Sequence, residues 1–263
     1  MQGAILGDII GSRFKFQNCK SKRFDLFTAD STFTDDSAMT IAVASALLKW
    51  KANGGDLGAI TVEEMRRIGC AYFGVGYGGT FRNWLKSEDP QPYNSWGNGA
   101  AMRVSPCGWV GQSIEEVKDL SAAVTEVTHN HPEGLKGAEA TAVCVYLART
   151  GKSKDEIKRY VQENYYAIDF TLDDIREDYH FDVSCQGSVP QALEAFFEAE
   201  GFVDAIRNAI SVGGDSDTIG AITGGIAEAT WGIPASTLDW VRMKLPTDLY
   251  DIVKEFKEKY IKV

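Results

Sequence analysis

An all-α fold is what this sequence predicts, and three observations predict it. Ser/Thr-x-x-Glu starts recur along the chain, apolar residues then return at spacings of three and four, and convincing strand alternation is absent. One compact multi-helix domain over residues 1–263 is expected, because no interdomain linker, low-complexity tract or internal repeat interrupts the chain.

Taken in order, the first helix covers residues 3–14. Gly3, Gly7 and Gly11 recur every four residues and so share one face, the pattern of a close helix contact. Gly220, Gly224 and Gly225 read the same way. A second helix covers 36–50, with Met39, Val43, Ala46, Leu47 and Trp50 on one side. Thr61 to Glu64 reads as the capping box of a third. The glycine-rich segments 74–79 and 93–111 carry aromatics and an arginine, which marks them as ordered loops. Ser113-Ile-Glu-Glu116 is a further box, followed at helical spacing by Val117, Leu120, Val124 and Val127. A helix over 134–149 comes next, and Ser153 to Glu156 repeats the capping pattern. Pro190 opens the helix "PQALEAFFEAE", which Gly201 closes. The remaining helices are expected over 202–211, 218–230 and 248–261.

With 263 residues, 44% of them hydrophobic, the chain can bury a large core. Its five cysteines (Cys19, Cys70, Cys107, Cys144, Cys185) are scattered and form no CxxC pair, which argues against a disulfide framework or a zinc ribbon. The 27 basic and 37 acidic residues leave a net charge of -10 with no basic block, so nonspecific nucleic-acid binding is not expected. A secretory signal pattern and a long apolar span are both missing, and the expectation is a soluble, cytoplasmic protein that does not engage a membrane.

The chemistry gathers at two helix starts. Asp35 and Asp36 precede the 36–50 helix, and Asp215 and Asp217 precede a run of small apolar residues that reads as buried. Helix capping explains one aspartate at such a place. Two at each, beside Thr34 and Thr218, offer four carboxylates and two hydroxyls, a hard-oxygen set that suits Mg²⁺ or Mn²⁺ and does not suit zinc. Independent caps and a shared metal site are the two readings of these residues taken alone.

Together, "GAILGDIIGS" (3–12), "TDDSAMT" (34–40), "GNGAAMRVSP" (97–106), "THNHPEG" (128–134) and "GGDSDTIGAITGGIAEA" (213–229) resemble the ordered motifs of the ADP-ribosylglycohydrolases, across residues 1 to about 235. The resemblance implies an all-α fold holding two divalent cations, Mg²⁺ or Mn²⁺. It implies removal of ADP-ribose from a modified protein side chain or a small acceptor, with ADP-ribose or an ADP-ribosylated protein as partner. Carried over by motif, Thr34, Asp35, Asp36, Asp215, Asp217 and Thr218 are the metal ligands. The metals would orient a water toward the anomeric carbon of the distal ribose, with Asp35 or Asp36 as the base.

The backbone N–H groups of Gly97, Asn98, Gly99 and Ala100 are candidates to cradle the pyrophosphate. Arg103 is the nearest cation, with an exposed loop arginine as the alternative. His129 matches the first histidine of the family's threonine-histidine motif, which implies a hydrogen bond to ribose or phosphate. The alternative is a polar residue just past a helix ending near Val127. His131 and His180 carry weaker signals. Tyr77 or Phe81, in a segment similar to the family's acceptor-side loop, could stack on adenine or simply pack in the core.

One position departs from the family pattern. A glutamate usually follows "GS", and this chain has Lys15 there. An ammonium cannot ligate a divalent cation and repels one. Lys15 could turn to solvent, could sit in place of one metal and leave a noncatalytic ADP-ribose-binding or regulatory protein, or could be an engineered substrate trap.

Overall fold

The computed structural model describes residues 1–261; residues 262 and 263, the last two of the expected domain, lie outside the described residues. No strand occurs among the described residues, which form helices and loops with one isolated antiparallel bridge, Gly97 to Ser184.

α1 (Gln2–Gly11) runs on into a 3₁₀ turn at Ser12–Phe14, and a long irregular segment leads to α2 (Asp35–Asn53) and α3 (Leu57–Ala71). Thr34 caps α2, its hydroxyl accepting the Asp36 N–H. Asp56 caps α3, accepting the Gly58 and Ala59 amides at 2.8 and 3.3 Å. The Thr61–Glu64 box expected from the sequence is therefore not a helix start. Thr61 lies inside α3 and donates to the Leu57 carbonyl, while Glu64 is buried against Ser45, Lys49 and Arg67.

The loop at 74–79 leads into α4 (Gly79–Lys86). Segment 93–111 is a loop only to residue 98; it then forms α5 (Gly99–Met102) and α6 (Ser105–Val110), which its glycine content concealed. α7 (Ile114–Thr125) is capped by Ser113, but the Glu116 carboxylate accepts from Gln112 at 2.8 Å instead of returning to Ser113, so that box is half made. α8 (Pro132–Arg149) follows, and α9 (Lys154–Asn164) opens on the complete Ser153–Glu156 box.

After the single turn α10 (Leu172–Ile175), α11 (Cys185–Phe197) starts at the Ser184 cap, well before Pro190. Pro190 thus stands inside the helix it was expected to open, where it removes the hydrogen bond to the Gln186 carbonyl. Gly201 does not close α11, which ends at Phe197; it stands at the N-cap of α12 (Phe202–Val212). α13 (Ser216–Trp231), α14 (Ala235–Lys244) and α15 (Thr247–Tyr260) complete the chain.

The two glycine faces, each expected at a close helix contact, prove to be each other's partners. Every residue of α1 is buried. A Cβ on Gly3, Gly7 or Gly11 would overlap the main chain of α13 at Gly224, Gly220 and Ser216. The two backbones therefore touch directly, and replacing hydrogen by methyl along this seam would force them apart. Apolar side chains of α1, α2, α8, α11, α12 and α13 form one contiguous core around it. This seam sets Asp8 of α1 and the start of α13 close to the start of α2. All five cysteines are free, and no helix among the described residues is long and apolar enough to cross a membrane.

Candidate active site

The two aspartate motifs converge, and a third helix joins them. Asp8, fully buried in the middle of α1, accepts the Thr34 N–H at 2.8 Å, the Thr34 hydroxyl at 2.7 Å, the Ser37 N–H at 3.1 Å and the Ser37 hydroxyl. It thereby ties α1 to the first turn of α2. The Thr34 hydroxyl lies 3.2 Å from Asp36 Oδ2 and 3.5 Å from Asp217 Oδ2. Carboxylate oxygens of Asp8, Asp36 and Asp217 all lie within 4.8 Å of one another. Asp8 was not among the expected ligands. Its signal is a carboxylate inside an apolar, glycine-spaced helix, flanked by Gly7 and Ile9, where no solvated face is available.

At the other start, capping does not account for Asp215. It occupies the N-cap position of α13 yet makes no capping hydrogen bond. Its carboxylate turns toward Lys15 Nζ, 3.2 Å away, and accepts the Asn98 side-chain amide at 2.8 Å. Asp217, fully buried, accepts the Thr218 N–H at 3.0 Å and takes Lys15 Nζ at 2.8 Å.

These groups underlie a cavity of about 600 Å³. Lys15, Asp35, Asp36, Asp215 and Thr218 line its floor; Thr34 and the buried Asp217 adjoin them without lining it. Asp35 is held by its N–H, which donates to the Val75 carbonyl at 3.0 Å, so the 74–79 loop fixes it to the wall. Gly76 makes that approach possible: it has φ +114°, and a Cβ there would crowd Asp35 Oδ1.

Electrostatics favour an added cation. Burial, then the charges of Asp217, Asp8 and Asp35, push Asp36 well above the usual carboxylate range. Burial and Asp215 raise Asp217 against the pull of Lys15. Burial raises Asp35 to about 6, with Lys15 opposing and Asp8 and Asp215 adding. Burial alone would lower Lys15, but Asp217, Asp36, Asp215 and Asp35 outweigh it and raise it, so it is a fixed ammonium. Asp35 Oδ1 and Asp36 Oδ1 are buried and accept no hydrogen bond. Unpaired, mutually repelling hard-oxygen donors of this kind fit a hard divalent cation.

The other side of the cavity is aromatic and carries one buried cation. Arg103, only 1% exposed, donates to Thr128 Oγ1 and lies 3.2 Å from His129 Nδ1, so it is not the exposed loop arginine of the alternative reading. Burial lowers its pKa to about 10, which leaves it charged near neutrality. A guanidinium can only donate, so His129 Nδ1 accepts and the ring carries its proton on Nε2, beside Gly99 at the cavity wall. Burial and Arg103 lower the His129 pKa well below normal, keeping the ring neutral. The preceding helix ends at Thr125 with its C-cap at Glu126, close to the expected end near Val127.

Of the expected cradle amides, Gly97 donates to Ser95 Oγ at 3.1 Å, Asn98 to the Val183 carbonyl at 2.7 Å and Ala100 to the Gly97 carbonyl at 3.1 Å. Ala100 is fully buried and off the wall. The Gly99 N–H alone of the four is without a partner among the described residues, which narrows the expected cradle. Tyr77 and Phe81 line the cavity, ring centroids 5.3 Å apart, and Phe81 stacks on Trp84. The wall also includes Tyr93, Trp96 and Phe181, which the sequence reading did not single out. Trp96 at 51% and Phe181 at 46% exposure leave an apolar rim. His131 caps α8, accepting the Glu133 N–H, and His180 is exposed.

The ADP-ribosylglycohydrolase family model matches residues 1–262. The chain belongs to the ADP-ribosylglycohydrolase family. It is similar to the human ADP-ribosylhydrolase ARH3, with 23% identity over 91% of this chain and 86% of that protein. It is 26% identical to the ADP-ribosyl-[dinitrogen reductase] glycohydrolase of Rhodospirillum rubrum, over 82% of this chain and 76% of that one. The ADP-ribosylarginine hydrolase Tri1 of Pseudomonas putida is 22% identical over 97% and 78%. A solved ADP-ribosylglycohydrolase-related protein complex shares the fold at a TM-score of 0.71 and 20% identity, covering 98% of this chain and 95% of that one. Family membership supports hydrolysis of ADP-ribose linkages.

Proposed function

We propose that this ADP-ribosylglycohydrolase is a cytoplasmic, metal-dependent hydrolase that removes ADP-ribose from a modified protein side chain or small acceptor. The observation that carries the reading is the convergence of Asp8, Asp36 and Asp217, from three helices, beneath a cavity floored by Asp35, Asp215 and Thr218. Asp36 and Asp217, oriented by Asp8 and Thr34, are the core of the metal-binding set, with Asp35, Asp215 and Thr218 at its cavity side. A divalent cation bound there, Mg²⁺ or Mn²⁺, supplies Lewis-acid polarisation of water and orients ribose hydroxyls.

The chain's own groups do the rest. Asp35, the less buried of the two candidate bases, takes a proton from water as the oxygen bonds to the anomeric carbon. The glycosidic bond breaks as that bond forms, through an oxocarbenium-like transition state. The proton is passed to the departing acceptor, so free ADP-ribose and the unmodified acceptor result. The His129 Nε2–H and the Gly99 N–H offer neutral donors to ribose or phosphate oxygens, while Tyr77 and Phe81, packed in the core at 3% and 8% exposure, leave only part of their rings on the wall for adenine. Since α5 has only four residues, we assign the Gly99 amide, not a helix dipole, to any phosphate contact.

The test is chromatographic detection of free ADP-ribose from arginine- and serine-modified peptides, with Mg²⁺, Mn²⁺ or EDTA. Metal-dependent release is expected. The Lys15 ion pairs favour a second reading, an ADP-ribose-binding protein with little turnover. Binding of ADP-ribose in the calorimeter without release in any metal would select it and reject the hydrolase.

A further inference from the structure

We propose that Lys15 is a tethered cation that takes the place of a second metal ion, so that this chain holds a single divalent cation. The inference rests on the metal-dependent reading above and specifies its stoichiometry. Lys15 Nζ lies 2.8 Å from Asp217 Oδ2 and 3.2 Å from Asp215 Oδ1, with its side chain 19% exposed. It fills the space that those two carboxylates would close around an ion. A divalent cation binding carboxylate oxygens at about 2.0–2.1 Å cannot share that position with an ammonium. The oxygens of Asp8, Asp36 and Asp217 that lie within 4.8 Å of one another share Asp217 with Lys15, but Asp8 and Asp36 make no ion pair with it, and Asp36 Oδ1 has no donor. That group is the position left for one ion.

The segment that carries Lys15 is tied to the turn that Lys15 faces, which favours its inward placement over a turn to solvent. Asn18 is clamped to the turn that carries Asp215: its Nδ2 donates to the Gly214 carbonyl at 3.0 Å, and the Gly214 N–H donates to its Oδ1 at 2.8 Å. Lys20 Nζ donates to the Val212 carbonyl at 2.7 Å on the same turn. The segment 15–20 and the Asp215 turn therefore form one unit, and Lys15 enters the cluster from it.

Mn²⁺ titration of the full chain, followed by electron paramagnetic resonance and calorimetry, tests the proposal. One Mn²⁺ per chain is expected for the wild type and two for Lys15→Met, with circular dichroism as the check on folding. Asn18→Ala keeps the lysine and cuts its clamp, so it should gain a second, weaker Mn²⁺; this variant carries the test if Lys15→Met does not fold. Two ions on the wild type, or one on both variants, would overturn the inference while leaving a metal site in place. No Mn²⁺ on any form would overturn the metal-dependent reading itself, and this inference with it.

Discussion

Buried carboxylates meet α2 at both ends, and they are held in opposite ways. Toward its C-terminal half, Glu64 of α3 has a fully buried side chain but accepts the Ser45 hydroxyl at 2.6 Å and pairs with Lys49 and Arg67. Burial alone would raise its pKa; Arg67, Lys49 and Ser45 outweigh that and hold it at about 2. Around the N-terminus, Lys15 is the cation in contact with the cluster, and burial raises Asp8, Asp36 and Asp217, with neighbouring carboxylates adding at the last two. A buried carboxylate supplied with its own cations is structural. A cluster short of them keeps its charge only if a cation arrives from outside.

Asp36→Asn should break that comparison most strongly. We expect ADP-ribose release to fall by roughly a thousandfold, about 4 kcal/mol of lost transition-state stabilisation. In EDTA the same variant should melt at or above the wild-type temperature, since it removes a buried carboxyl group that no cation contacts and that folding must either desolvate as a charge or protonate. A metal-free variant that melts several degrees lower would mean that Asp36 is paired within the fold, like Glu64.

Much of this site was legible in the sequence because its parts are local. A doubled aspartate at a helix start exceeds what a cap requires, and Asp215, which makes no capping bond at all, shows that excess most plainly. The glycine spacing likewise marked α1 and α13 as helices in close contact, though not as partners of one another. What stayed hidden depends on partners distant in the chain. Asp8 acquires its role only when the seam brings α2 to it, and the antiparallel bridge between Gly97 and Ser184, which shapes the cavity wall, joins segments with no periodicity. Glu64 looked like the end of a capping box because Thr-x-x-Glu is ambiguous inside a helix; Asp56, offering its side chain to two amides, took the cap.

The opposite pole of the comparison gives a smaller effect. Glu64→Gln should cost roughly 1–3 kcal/mol, less than a fully enclosed pair because Lys49 and Arg67 are half exposed and can be rehydrated. ADP-ribose release by the folded variant should be unchanged. The pH dependence sharpens the contrast. Glu64 is held below the ordinary glutamate value of 4.5, so its stabilisation is complete above that pH and vanishes as pH falls toward about 2. The gap in urea midpoint between wild type and Glu64→Gln should therefore close over this window. Asp36 has the reverse sign. The folded state binds its proton more tightly than the unfolded chain, so in EDTA the advantage of Asp36→Asn should be absent at low pH and open as pH rises above 3.8.

The finest test compares two serines on α2. Ser37 donates its hydroxyl to Asp8, and Ser45 donates its own to Glu64. Ser45→Ala removes one of several partners from a carboxylate that still holds Lys49 and Arg67, and about 0.5–1 kcal/mol is expected. Ser37→Ala removes a donor from a carboxylate whose remaining bonds come from Thr34 and the Ser37 amide, all neutral groups. Its cost should be larger, about 1–3 kcal/mol, because a buried charge then loses part of the only stabilisation it has. Urea denaturation of both variants at neutral pH in EDTA measures the difference. Equal costs would show that Asp8 is no more dependent on its neutral donors than Glu64 is on Ser45, and the division between a satisfied carboxylate and one awaiting a cation would then not extend to α1.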